Sequence, residues 1–376
     1  QSDKSLPYAV ACLIFSLIMV PAGRMQDKLS PRLVATLGGI LVGIGMIIAS
    51  FTQSPMGYMI GFGILAGAGI GFGYASATPP AVKWFPKAKT GMIAGIVVSG
   101  FGLALAYAAP LCGWMIENYG LSLTVRYLGI AFLVIVCALA QVLKAPPAGY
   151  SAEKSACPAD STRTATELNK KENFTPSEML KTPQFYMLWF MYACGAGAGL
   201  MVISVAKKVV GIHIPATLTL VALIGLAIGN GGGRIVAGTV SDKMGQKATL
   251  FMYLIIQAVC LLLLSQAKEG SILATAPVLI VLYGLIGANY GANLALFPSF
   301  TKDYYGLKNF GMNYGLVFTA WGVGGFMMAK LAGIMYDKTQ SFNFAYFSSC
   351  GLLILAAFCV FLVKPPQHLE KAEKSE

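Results

Sequence analysis

The stretch Ile228-Gly-Asn230-Gly-Gly-Gly-Arg234 places one guanidinium inside an apolar run, 216–240. A charge within a membrane-length apolar run is costly and marks a functional residue by default. Guanidinium stays charged at any physiological pH, and its planar fork matches a carboxylate bidentately. Asn230 lies four residues earlier, on the same helical face, and glycines 231–233 leave room for a neighbouring helix or a ligand. The pattern suits an anion receptor in which Arg234 takes a carboxylate and Asn230 helps orient it. A structural arginine bonding backbone carbonyls between helices is the competing reading. Lys330, the other cation inside an apolar run, sits seven residues before Asp337, where a long side chain snorkels to the interface. It is not assigned to the site.

A second group of residues repeats. Gly23-Arg-Met-Gln-Asp27-Lys28-Leu-Ser30-Pro-Arg32 and Gly238-Thr-Val-Ser-Asp242-Lys243-Met-Gly245-Gln-Lys247 both read G-x-x-x-D-K-x-[GS]-x-[RK], 215 residues apart. Gly91-Met92-Ile-Ala-Gly95 and Gly311-Met312-Asn-Tyr-Gly315 form another pair, 220 apart. Gly23 and Gly238 let helix ends approach their neighbours. Asp27 and Asp242 are expected to cap the start of an adjacent helix or to pair with cations. Both motifs are read as tight cytoplasmic turns that close that side and break when it opens.

Other chemistry has little to work with. Two histidines, His213 and His368, no H-E-x-x-H, no paired intramembrane carboxylates and no C-x-x-C leave enzymatic, metal and redox functions unsupported. No Walker motif is present, and the G-x-x-x-G pairs Gly67/Gly71 and Gly69/Gly73 read as helix packing. No cofactor is expected. All fifteen acidic residues fall in loops or at the ends of apolar runs, so a carboxylate proton relay is missing from them and a cationic substrate is disfavoured.

The elements that must position these residues follow from composition. Of 376 residues, 56% are hydrophobic and 11% charged, with 43 Gly, and the mean hydropathy is +0.69. Ordinary soluble domains carry roughly 25% charge, so the fold class is an all-α polytopic membrane protein. Eleven apolar runs are long enough to cross a bilayer: 7–23, 33–52, 57–81, 91–116, 123–143, 184–206, 216–240, 248–266, 272–298, 311–336 and 342–363. A polar connection, 144–183, divides five spans from six and is read as a flexible cytoplasmic hinge with some helix. The domains expected are a bundle over 1–143, the linker 144–183, a bundle over 184–364 and a cytoplasmic tail, 365–376.

The net charge of +12 resolves into topology. If the first span runs outward to inward, nineteen of the 27 Lys and Arg fall on the cytoplasmic side, among them Arg24, Lys28, Arg32, Lys83, Lys89, Lys243, Lys247, Lys302 and Lys308. Six fall outside: Lys4, Arg126, Lys207, Lys208, Lys268 and Lys338. This obeys the positive-inside rule and leaves no basic domain for nucleic acid. The chain is expected in an inner, cytoplasmic membrane, multi-pass and monomeric, with lipid around it.

These motifs resemble the major facilitator superfamily along the whole chain. The resemblance implies two six-helix bundles, of which the eleven spans are the second to twelfth helices, the first being absent from this sequence. Ser30 stands where that family has glycine, which is expected to loosen the turn. More specific strings are similar to the oxalate/formate antiporter branch: Leu65-Ala-Gly-Ala-Gly-Ile-Gly-Phe-Gly-Tyr74 with Lys83-Trp84-Phe85-Pro86, Lys181-Thr-Pro-Gln-Phe-Tyr186, Ala295-Leu-Phe-Pro-Ser299 and Asn313-Tyr314-Gly315 through Trp321-Gly322. The branch implies a secondary transporter of small carboxylates, from formate or lactate-like monocarboxylates to oxalate, working by alternating access as an antiporter or proton symporter. It places the carboxylate-binding arginine at Arg234 and lining aromatics at Tyr74, Phe101, Tyr290 and Trp321, with Asn293 as an added donor. Its oxalate-binding members carry Lys where this chain has Trp321. Lys330 is nine residues on, across the helix, and does not replace it. One cation suits a monoanion better than a dianion. The alternative is a non-transporting carboxylate receptor on a carrier fold.

Overall fold

The computed structural model describes residues 2–366 except 53, 87–88, 148–149, 151–172 and 269. Every regular element among the described residues is helical. Ten helices are long and apolar enough to cross a membrane. One of them, Thr90–Ala140, is 51 residues long and turns at Gly120, where φ is 76° and ψ 167°, a conformation open to glycine and strained for other residues. It therefore makes two crossings, α4 (90–119) and α5 (121–140). Before it come α1 (Ser2–Lys28), α2 (Pro31–Ser50) and α3 (Pro55–Lys83, with a π-helical stretch at Met59–Ala66). After the 144–183 connection come the short α6 (Pro176–Leu180), then α7 (Pro183–His213), α8 (Ala216–Met244), α9 (Gln246–Ser265), α10 (Ala276–Tyr305), α11 (Phe310–Thr339) and α12 (Asn343–Leu362).

Most helices overrun the apolar runs, and this corrects the reading of the motifs. Hydropathy marks the lipid-facing length, whereas a helix continues while its polar ends find partners. Gly23, Asp27 and Lys28 thus lie in the last turns of α1, and Gly238, Asp242 and Lys243 in those of α8. The turns themselves are only Leu29–Ser30 and Gly245. Ser30 does not loosen its turn: it is the N-cap of α2, its hydroxyl accepting from the Leu33 amide at 3.4 Å. At the matching place Gly245 takes φ 87°. Lys302, read as a loop cation, is buried within α10, its Nζ against the Thr90 hydroxyl at the start of α4. Arg32 and Lys247 have matching partners as well. Arg32 Nε donates to the Leu143 carbonyl beyond α5 at 2.8 Å, and Lys247 Nζ to the Val363 carbonyl beyond α12, cations at helix C-termini.

Of the linker, 151–172 lies outside the described residues, as does 367–376 of the tail. The linker's end is docked: the Phe174 amide donates to the Tyr305 carbonyl, and Asn309 and Asn313 both donate to the Phe174 carbonyl, at 3.0 to 3.1 Å.

Within the second half of the chain, α8 lies on α10 with no side-chain layer between them. A Cβ built on Gly233 would sit 2.4 Å from the Ala288 Cα, and one on Gly291 2.2 Å from the Asn230 carbonyl oxygen. The halves meet through two crossings, α1 on α11 and α8 on α4. Both run in one register. Gly23 faces Gly311, Met19 faces Gly315 and Ser16 faces Gly322; 215 and 220 residues on, Gly238 faces Gly91, Arg234 faces Gly95 and Gly231 faces Gly102. Small residues let helices in lipid approach to backbone contact, where dispersion and weak hydrogen bonds replace a hydrophobic drive.

Adjacent glycines on α8 test this packing. A Cβ on Gly232 meets nothing within 4 Å, so Gly232→Ala is expected to leave the melting temperature in detergent unchanged or raised. Gly233→Val must push α8 off α10, at a cost of about 1–3 kcal/mol, and is expected to lower it. Equal melting of the two variants would contradict the backbone contact.

Candidate functional site

Arg234 is held at the α8–α4 crossing, eight residues or about 12 Å of helix from Asp242. It is 3% exposed. Nε and Nη2 both donate to Asn230 Oδ1, at 3.1 and 3.0 Å, and Nη1 donates to the Val98 carbonyl on α4. Asn230 therefore orients the guanidinium, and Arg234 bonds a backbone carbonyl across the seam between halves. A guanidinium has five N–H donors, and two stay unused. Among the described residues no carboxylate partners Arg234. A buried cation without a counter-ion is a site prepared for an anion. Glycines 231 and 233 are taken up by α4 and α10, so of the three only Gly232 opens onto space.

An aromatic wall stands beside it. Tyr74 on α3, Tyr290 on α10 and Trp321 on α11 are all buried, and the Arg234 charge reaches the hydroxyls of Tyr74 and Tyr290. Trp321 Nε1 donates to the Tyr290 hydroxyl at 2.9 Å. That oxygen thus serves as acceptor and keeps its own proton to donate. Phe101, on α4, is 46% exposed but lays its ring 5.0 Å from that of Tyr74. Asn293 differs from expectation. Its amide donates to the Asn289 carbonyl of its own helix at 2.9 Å and lies against Gly195 of α7. Lys330 is exposed, 5.7 Å over the Phe326 ring, away from the buried Trp321.

Sequence reasoning passed over several neighbours. Phe15 of α1 touches the rings of Tyr74 and Trp321 at 5.5 and 5.1 Å, and Phe318 is stacked on Trp321 at 5.3 Å. Phe15 stands 215 residues before Asn230, so the repeat register was the signal that could have found it. Phe318 lies inside the quoted string Asn313–Gly322. Tyr192 and Val98 carry no motif and had no signal.

At the basic end two carboxylates are exchanged between the halves. Asp27 accepts from the amides of Gly311 and Met312, at 3.0 and 2.9 Å, at the start of α11. Asp242 accepts from Gly91 and Met92, both at 2.9 Å, at the start of α4. Each Asp of one repeated motif thus caps the Gly-Met of the other, across the interface. Lys83 adds an ion pair to Asp27 at 3.4 Å, while Lys28 and Lys243 stay exposed.

Comparison with known proteins agrees with this architecture. The profile of the Major Facilitator Superfamily matches residues 2–270 and 212–376. The oxalate:formate antiporter of Oxalobacter formigenes is 30% identical over 303 residues, 79% of this chain and 67% of that protein. Monocarboxylate transporter 12-B of Danio rerio is 24% identical over 387 residues, 96% of this chain and 78% of that one. The crystal structure of the Escherichia coli fucose:proton symporter matches with a TM-score of 0.68 at 16% identity, over 97% of this chain and 91% of that one.

The caps predict a local effect. Asp242→Asn weakens the charge-assisted cap on α4, a contribution of about 0.5–2 kcal/mol. A cysteine placed at the buried Ala94, in a chain whose own cysteines are replaced, is expected to be alkylated several-fold faster in detergent when Asp242 is Asn. An unchanged rate would show that the cap does not hold this crossing.

Proposed function

The chain belongs to the Major Facilitator Superfamily, and on that premise we propose that it is a secondary transporter carrying a small carboxylate by alternating access, in exchange for another anion or together with a proton. The observation that carries this is Arg234: buried, without a carboxylate partner, and with two N–H donors unused beside a tyrosine hydroxyl that has a proton to give. The relatives named for oxalate, formate and monocarboxylates support the substrate class.

The substrate carboxylate takes the unused donors of Arg234 and the proton of Tyr290. Tyr74, Phe101 and Trp321 exclude water around its body, which strengthens the charged contact. Pairing neutralises the site and lowers the cost of closing it. The bundles 1–143 and 184–364 then rock about the α1–α11 and α8–α4 crossings. The basic end faces the cytoplasm, following the lysine and arginine asymmetry, and opens when the caps of Asp27 and Asp242 break. Gly23 and Gly238 keep those crossings close, and Lys28, Arg32, Lys243 and Lys247 secure the adjoining helix ends. With one cation in the site, monoanions are favoured over oxalate.

In proteoliposomes, Arg234→Ala and Arg234→Lys are expected to abolish saturable formate counterflow while the protein remains folded, since Lys cannot reproduce the fork. Normal counterflow by Arg234→Ala would sink the assignment. With the native chain, formate and lactate are expected to support counterflow and oxalate is not; support by oxalate alone would overturn the charge argument.

A further inference from the structure

Three tyrosines converge beside this site without any role in it so far beyond the ring of Tyr74. Tyr74 comes from α3, Tyr192 from α7 and Tyr314 from α11, with exposures of 3%, 0% and 0%. Their rings surround that of Phe318, with centroids 5.1, 6.1 and 5.7 Å from it. Their hydroxyls approach one another closely enough to interact, and the Arg234 charge reaches those of Tyr74 and Tyr192. Yet none of the three makes a hydrogen bond of regular geometry. A buried hydroxyl without a partner costs about 1–3 kcal/mol, and here three are gathered in one place. Tyr283 and Tyr346 also have unbonded hydroxyls, but among the described residues this is where hydroxyls from both halves meet beside a cation.

We propose that the hydroxyls of Tyr74, Tyr192 and Tyr314 form a neutral polar subsite next to Arg234, which takes a second oxygen of the substrate. The carboxylates preferred are then those with a hydroxyl or carbonyl group on the carbon beside the carboxylate. This rests on the Arg234 reading above and deepens it. A tyrosine hydroxyl both donates and accepts, so a cluster of three can satisfy an alcohol or a ketone oxygen. The cluster brings no positive charge, so it does not compensate a second carboxylate, whose burial there would be costly. Tyr74 belongs to one half and Tyr192 and Tyr314 to the other. A substrate that bridges them is held by both halves at once, and one lacking the second oxygen leaves the cluster unbonded. A site that bonds a hydroxyl rejects the analogue without it more strongly than an apolar pocket rejects a change of size.

The test compares lactate with propanoate, the same skeleton without the hydroxyl, using the full chain in proteoliposomes. The native protein is expected to favour lactate at least tenfold in kcat/KM, and Tyr314→Phe and Tyr192→Phe, measured separately, to reduce that ratio about tenfold, the effect of one hydrogen bond. Each variant keeps its ring and loses an unbonded hydroxyl, so melting temperatures are expected to hold or rise. Equal handling of the two acids by the native protein overturns the proposal. So does an unchanged ratio in both variants, or equal loss on both acids. Formate has no second carbon and reports on Arg234 alone. If Arg234→Ala abolishes formate counterflow while the ratio ignores both tyrosine variants, the subsite falls and the carboxylate reading stands. If formate counterflow survives Arg234→Ala, both fall.

Discussion

Two aspartates sit where their own helices disfavour them. Asp27 and Asp242 lie at the C-terminal ends of α1 and α8, where the helix dipole repels an anion. Each is stabilised by the N-terminus of a helix from the opposite half, through two amide hydrogen bonds. The arrangement is reciprocal, so the halves hold each other at the basic end through contacts that neither can make alone. It also sets the geometry of everything further along. Carboxylates this short reach a neighbouring helix start only if the backbones touch, which is why Gly23 meets Gly311 and Gly238 meets Gly91. Once those pairs are in contact, the registers of α1 on α11 and of α8 on α4 are determined for several turns.

That register carries the site with it. Following the crossings away from the caps, Met19 faces Gly315 where Arg234 faces Gly95, and Ser16 faces Gly322 where Gly231 faces Gly102. The backbone repeats, and the side chains do not. At equivalent positions one half offers a thioether and the other a guanidinium, Phe15 answers to Asn230, and Phe101 to Trp321. An anion site with a single cation and an aromatic wall arises because the repeat keeps its packing residues and diverges at the side chains that face the seam. The aromatic residues of α1 and α4 then complete a cavity whose charge comes from α8.

Much of this was legible in the sequence for physical reasons. The long apolar runs, the basic asymmetry and the two motifs at offsets of 215 and 220 all reflect constraints that act locally, such as bilayer thickness, loop charge and a backbone contact that admits only glycine. What was not legible depends on partners distant in the chain. Nothing around Asp27 tells that its donors are Gly311 and Met312, although both strings stand out separately. Asn293 looks like an outward donor until its amide turns to the Asn289 carbonyl. Lys302 reads as a loop cation because hydropathy falls before the helix ends, and its burial against Thr90 depends on α4 reaching that place. Tyr192 and Tyr314 are inconspicuous aromatics in apolar runs until the fold gathers their hydroxyls.

The bonds of Arg234 bear on the choice between exchange and one-way flow. With no anion in the site, the guanidinium holds the Val98 carbonyl of the opposite half, so the cation itself ties α8 to α4 one stretch beyond the Asp242 cap. On the reading proposed here, an arriving carboxylate competes with that carbonyl and offers a full negative charge where the carbonyl offers a dipole, so the tie loosens when substrate binds. The empty site keeps both the tie and an unpaired charge, and each opposes its movement to the other face. A carrier built this way turns over readily when occupied and slowly when empty, and that difference is what couples the movement of one anion to the return of another.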